Sequence, residues 1–259
     1  MTQSFFRSIS RRRVRYLLIS GQACVLYGAS QFTEDIDLWI EPVGANLRSF
    51  LRALADVGAV VYKATPPPTL PNLRKGHGFH FLIHPDIYID VMGKPPRVGG
   101  FASAWRRVRP IHTEWGELPV VSPEDLVLLK RTNRPSDYEA ISNLVRMRTQ
   151  ESQEDRSVLR WALANTFDVL HLVELALEWA CRPGSWPRRP AVRALLPLAV
   201  GTRKVSAARR RKAGELLALE MSRLQDSGRR YWAPMIQDLK RLRSAGKLLR
   251  QGMPVSDLL

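Results

Sequence analysis

Two short stretches of this chain, Asp35 to Glu41 and Ile87 to Met92, alternate strictly between apolar and other side chains. In the first, Ile36, Leu38 and Ile40 fall on one side and Asp35, Asp37 and Trp39 on the other. In the second, Ile87, Ile89 and Val91 oppose Tyr88, Asp90 and Met92. A period of two is that of a β-strand with one face buried. If both strands join one sheet, parity alone sends Asp35, Asp37 and Asp90 out of the same face. Three carboxylates so placed repel one another, and burying them uncompensated costs several kcal/mol each. Magnesium answers this need, because it prefers oxygen ligands and completes its octahedron with water and phosphate oxygens. Two such ions roughly 4 Å apart could activate an attacking hydroxyl and stabilise a leaving pyrophosphate, and manganese could substitute. An acid pair spaced by one residue is nevertheless common on exposed strands, so the pair alone does not establish a metal site.

The rest of the pattern is mixed. Residues 14–28 read as a helix with a glycine near each end, followed by a loop to Glu34. Leu47, Phe50, Leu51, Leu54 and Val57 have the spacing of an amphipathic helix that Gly58 stops. Ala59 to Tyr62 reads as a short strand, and Phe79 to Ile83 and Ile87 to Met92 as two strands around His84-Pro85-Asp86. A strand over Leu118 to Val121 leads into Ser122-Pro123-Glu124-Asp125, an N-cap serine, a first-turn proline and an acid three residues on. That helix is expected to run to about Asn133, and Pro135-Ser136 with Glu139 to open another with a second capping box. Beyond residue 155 the chain reads as helices over 158–180, 191–198, 207–224 and 232–249, with a proline-rich linker at 182–190. The expected fold is therefore α/β (α+β), a small mixed sheet flanked by helices and followed by an all-helical region. The division is 1–150 for the core and 151–259 for a basic helical domain.

The string LLISGQACVLYGASQFTEDIDLWI resembles the signature of the DNA polymerase β-like nucleotidyltransferase superfamily. It is closest to the bacterial branch containing toxins of abortive-infection and toxin–antitoxin systems. Gly21, Ala23, Gly28, Thr33, Asp35 and Asp37 fit that signature in order and spacing. The resemblance implies a phosphate-binding turn at Ser20 and Gly21, whose backbone amides can approach a triphosphate, and a metal site at the three aspartates. Two departures stand out: Ser20 replaces the usual first glycine, and Gln31 stands where arginine is frequent. A second block, VVSPEDLVLLKRTNRPSDYEAISNL, resembles the family's later segment, with Lys130, Arg134 and Asp137 in matching places. It implies Lys130 as a triphosphate contact, which Arg131 or Arg134 could assist in holding the nucleotide. The other reading of that block is a solvated face with a helix-capping acid.

The remaining features refine this picture. Histidines 77, 80 and 84 lack a zinc spacing; His80 is the one placed to touch a substrate or act as a base. Cys24 and Cys181 are the only cysteines, which excludes a cysteine-rich zinc site and suits a reducing compartment. No apolar run approaches the ~20 residues that span a bilayer, and Ser10-Arg11-Arg12-Arg13 reads as a basic arm and not as a leader. A soluble cytoplasmic protein without membrane partners is expected. The net charge of +16 favours a polyanion. Arg203, Lys204 and then Arg209, Arg210, Arg211 and Lys212 form the densest basic cluster, read as a nucleic-acid contact. Trp186, Tyr231 and Trp232 are set down as packing residues first and base-stacking ones second. Together these readings point to a magnesium-dependent, ATP-binding or other nucleoside-triphosphate-binding enzyme. It would move a nucleoside monophosphate onto an acceptor hydroxyl of RNA, such as a tRNA 3′ end, in the manner of a toxin with an antitoxin partner. Transfer onto a protein side chain, or binding of RNA or a partner without chemistry, are the alternatives.

Overall fold

The computed structural model describes residues 2–152, 155–181, 185–199, 201–202 and 204–259. The chain is a mixed α/β protein built on one seven-stranded sheet. It divides into two compact units, Met1–Leu26 with Ser30–Leu129 and Tyr231–Leu259, and Tyr27–Ala29 with Lys130–Arg230. The expected boundary near residue 150 falls inside a helix, Pro135–Glu151.

The first unit holds the sheet. In chain order it contains helix α1 (Thr2–Arg11), strand β1 (Tyr16–Ile19), helix α2 (Ser20–Leu26), β2 (Asp35–Ile40), α3 (Gly44–Asp56) and β3 (Val60–Val61). There follow α4 (Leu70–Lys75), β4 (Phe79–Ile83), β5 (Ile87–Met92), α5 (Phe101–Trp105), β6 (Arg109–Thr113), β7 (Gly116–Val120) and α6 (Pro123–Leu129). The strands lie in the order β3-β4-β5-β2-β1-β7-β6. β2 pairs with β5 and β1 with β7 in parallel, and the other neighbours are antiparallel. One face carries Leu18, Leu38, Ile40, Phe81, Ile89 and Val91, all essentially without solvent exposure. Each such side chain contributes about 1.5–3 kcal/mol through burial. Phe50 of α3 meets Phe81 at 6.3 Å, and Phe6 of α1 meets Tyr16 at 6.4 Å, so α1 and α3 cover this face. Asp56 ties the two helices, accepting from Ser8 at 2.7 Å and from Arg11 and Arg12. The C-terminal segment covers the outer edge of β3, with Val61 N–H donating to Met253 and Gly252 N–H to Val61. Covering that edge removes a row of unpaired backbone groups.

The second unit is helical: α7 (Pro135–Glu151), α8 (Arg156–Asn165), α9 (Val169–Ala180) and α10 (Pro190–Arg193). The 38-residue helix α11 (Ala207–Ser244) runs through residues of both units. Among the described residues, no helix is long and apolar enough to cross a membrane.

Several elements differ from expectation, each for a local reason. The stretch 14–28 is a strand followed by a helix. Tyr16-Leu17-Leu18-Ile19 is buried on both faces, and a continuous apolar run of this length cannot distinguish strand from helix. Helix α1, which takes in Ser10 and Arg11 of the expected basic arm, forms because Phe5, Phe6 and Ile9 share a buried face. The β6 strand was not expected, since it contains a proline and sits at the sheet edge, where proline is tolerated. The 158–180 helix breaks at Asp168, whose carboxylate accepts from Leu170 and His171 N–H and starts α9 afresh. The helices expected over 207–224 and 232–249 are one, with Pro234 accommodated inside it. The 191–198 helix shortens to α10. In the 182–190 linker, Arg182, Pro183 and Gly184 lie outside the described residues, as does Arg203 of the basic cluster. Ser122 caps α6 by accepting from Asp125 N–H at 3.2 Å, but α6 ends at Leu129. Ser136 forms no second cap, because Arg134 occupies the N-cap of α7 without a side-chain bond.

Candidate active site

Strand register builds the site. β2 and β5 run side by side with Asp37 opposite Asp90 and Asp35 opposite Tyr88. β4 then pairs with β5 so that His80 stands opposite Asp90 and Leu82 opposite Tyr88. Directly opposed residues share a face, so Asp37, Asp90 and His80 form a row across three strands, with Asp35 one pleat away. All four are partly exposed, while Ile36, Leu38, Ile89 and Val91 are buried on the reverse side. Trp39 closes one end of the acid face. It is buried, donates its indole N–H to Gly93 O at 3.0 Å, and meets Phe101 edge-on at 5.6 Å.

The electrostatics of the row are uneven. Nδ1 of His80 lies 2.7 Å from Oδ1 of Asp90, each side chain about a quarter exposed (27% and 23%). Asp35 has its carboxyl pushed above the usual range, first by desolvation and then by the charges of Asp90 and Glu34; Lys63 and His80 act in the opposite sense. A half-buried carboxylate held among other acids calls for positive charge. Among the described residues, no three His, Cys, Asp or Glu side chains are gathered as they stand into a metal-holding group. The acids share a face, and His80 engages one oxygen of Asp90. The donor set is nevertheless all carboxylate oxygen on one face of the sheet, and it fits a hard divalent ion such as magnesium.

The turn before the acid pair is built by close approach. Ile19, the last residue of β1, is the register partner of Asp37, so α2 starts beside the acids. Ser20 at that start has φ of +59°, the left-handed region, which is uncommon for any residue other than glycine. A Cβ on Gly21 would lie 2.4 Å from the Thr33 hydroxyl oxygen. The absence of that Cβ lets Thr33, two residues ahead of Asp35, pack against the head of α2. Gln31 is exposed in the same loop.

The other expected site residues belong to the second unit. The ammonium of Lys130 donates to Asp137 at 2.8 Å with both groups largely buried, and the Thr132 hydroxyl also donates to Asp137. Arg134 is exposed. On α11, Arg210 and Arg211 are exposed, Arg209 donates to Pro197 O at 2.9 Å, and Lys212 pairs with Glu215 at 3.2 Å. The three histidines do not form one group. His77 is buried with Nε2 2.9 Å from Asp238, and His84 is exposed in the β4–β5 turn. Tyr231 donates its hydroxyl to Lys94 O and packs edge-on against Trp232, and Trp186 is half-buried.

Sequence reasoning passed over Lys63 and Tyr62. The only signal was position: Tyr62 ends the 59–62 strand and Lys63 follows it, but which face they meet depends on pairing with β4. Comparison of the chain with protein-family models gives no match, and comparison with curated proteins gives none.

Proposed function

We propose that this protein is a magnesium-dependent nucleotidyltransferase that moves a nucleoside monophosphate from a nucleoside triphosphate to an acceptor hydroxyl. The observation that carries the reading is the register of β2 and β5, with Asp37 opposite Asp90 and Asp35 on the same face. Asp35, Asp37 and Asp90 would hold the metal, which when bound neutralises phosphate charge and favours the ionised acceptor. In the transfer the acceptor oxygen bonds to the α-phosphorus, the bond between the α-phosphorus and the oxygen bridging to the β-phosphate breaks, and pyrophosphate leaves with that oxygen and the electron pair. The acceptor proton goes to Nε2 of His80, whose Nδ1 is committed to Asp90. Ser20 and Gly21 border the triphosphate in this reading. The acceptor is RNA, supported by the net charge of +16 and the exposed Arg210 and Arg211.

A binding-only protein is the second reading, favoured by the His80–Asp90 bond, which engages one of the three acids. The test incubates purified protein with magnesium, each α-labelled nucleoside triphosphate, total RNA and the host's soluble proteins. Label entering RNA, and lost in Asp35→Asn/Asp37→Asn, is the expected result. Label entering protein instead would move the acceptor to a side chain, and an antitoxin partner would be sought by whether its addition stops labelling. No label anywhere from a folded protein would leave the binding-only reading.

A further inference from the structure

We propose that Lys63 and the Tyr62–Tyr88 pair form the nucleoside-triphosphate subsite of the acid face, the ammonium meeting the triphosphate and the tyrosines the nucleoside. The proposal rests on the nucleotidyl-transfer reading and assigns residues that neither the sequence signature nor the metal chemistry includes. Tyr62 N–H donates to His80 O at 3.0 Å, which carries the β3–β4 ladder one residue past Val61. Val61 opposes the buried Phe81, so alternation turns Tyr62 to the face of His80. Tyr88 is on that face as well, opposite Asp35. The two rings meet with centroids 4.7 Å apart at 51°, an aromatic wall along the acid row. The two phenols interact through their hydroxyls as well as through their rings. Each presents a phenol hydroxyl that can be offered to a ribose or base edge.

Lys63 supplies a mobile cation beside this wall. Its ammonium lies 5.1 Å from the centre of the Tyr62 ring, at the rim of the aromatic wall. Its charge is the foremost cationic influence on Asp35. The residue is exposed, and among the described residues no carboxylate lies within ion-pair distance of it. Lys130, the lysine that the sequence put forward for this role, is already bound to the buried Asp137. A triphosphate brought to an acid-rich face needs a cation from the protein, and a lysine on a flexible stem can follow the phosphates. Neutral aromatic rings beside it stack any base, so the subsite favours nucleotides as a class without choosing one.

Calorimetric titration of the full-length protein in magnesium with α,β-methylene analogues of the four nucleoside triphosphates, and with the matching nucleosides, tests this. Lys63→Ala and Lys63→Glu are expected to weaken the tightest analogue about 10- to 100-fold and to leave nucleoside binding unchanged. Lys63→Arg should recover most of the loss. Tyr62→Ala should weaken analogue and nucleoside alike. Because Lys63 is exposed, its variants should melt with the parent protein. Analogue affinity retained in Lys63→Glu would overturn the subsite while leaving nucleotidyl transfer standing. A parent protein that binds none of the four analogues would remove both.

Discussion

Asp35 and Asp137 are both aspartates largely or partly withdrawn from water, and their surroundings are opposite. Asp137 accepts from the Lys130 ammonium and the Thr132 hydroxyl, so its charge is answered within its own unit. Asp35 stands among Asp37, Asp90 and Glu34, and burial and repulsion both raise its proton affinity. The first arrangement is what a fold needs from a buried acid, and the second is what a fold avoids unless something else requires it. The acid answered by its own lysine should therefore control stability, and the acids of the β2–β5 face activity. Asp35→Asn/Asp37→Asn should reduce nucleotide transfer by more than about 10³-fold with no loss of melting temperature. If unfolding accompanies the loss, the acids are structural and the contrast collapses.

The converse substitution is next in size. Asp137→Ala leaves the Lys130 charge buried without its partner and should cost about 3 kcal/mol in urea unfolding. Lys130→Met, which removes the orphaned charge as well, should restore part of that when combined with it. An Asp137→Ala protein as stable as the parent but unable to bind nucleotide would instead assign the pair to the ligand. Gly21→Ala comes after it. The new Cβ collides with Thr33, and overpacking of this kind costs about 1–3 kcal/mol. Trimming the neighbour in Gly21→Ala/Thr33→Ser would recover stability only if that close approach is the cause.

How much of this was legible in the sequence follows from the same physics. Parity along DIDLWI and IYIDVM gave the face of each acid, because a strand's alternation is local and one face is buried. The neighbours of those strands were not legible. That His80 opposes Asp90, and that Tyr62 and Lys63 reach the acid face, depends on register between segments far apart in sequence. Lys130 illustrates the opposite limit. Its position in a family-like string suggested a phosphate contact, while its hydrogen bond to Asp137 is a tertiary fact that no string carries. The strand Tyr16–Ile19 was hidden because burial on both faces erases the alternation that would have marked it.

The contrast between acids also has a pH signature of opposite sign. Asp56, beside Arg12, has its folded carboxyl depressed below the usual range. Its contribution is present above the unfolded value near 3.9 and is lost as pH falls toward the folded one. Asp35 is raised, so the folded state binds its proton more tightly than the unfolded state does. Stability relative to an uncharged side chain is then full below about pH 3.9 and declines as pH rises through the folded value. Thermal melts between pH 3 and 7 should separate them. Asp56→Asn should lower the melting temperature at pH 7 by a few degrees and converge on the parent as the pH falls below 3. Asp35→Asn should raise it at pH 7, on the order of 1–2 °C, and lose that gain at pH 3. Parallel profiles for the two variants would show that Asp35 is not held against its neighbours.

The smallest effect is expected one residue before Gly21. Ser20 adopts a left-handed φ of +59° at the start of α2, a conformation that costs an L-residue with a Cβ about 1–2 kcal/mol. Glycine adopts this backbone freely, so the serine carries a strain there that glycine would not. Ser20→Gly removes the steric cost but adds the chain entropy of glycine, so a net gain of about 0.5 kcal/mol in denaturant unfolding is expected. Ser20→Ala keeps the Cβ and should gain nothing, which separates relief of the backbone from loss of the hydroxyl. If transfer falls in both variants while stability behaves as stated, the hydroxyl itself touches the nucleotide. If transfer is kept in Ser20→Gly, the turn's service to the site is its backbone, as the packing of Gly21 against Thr33 already requires.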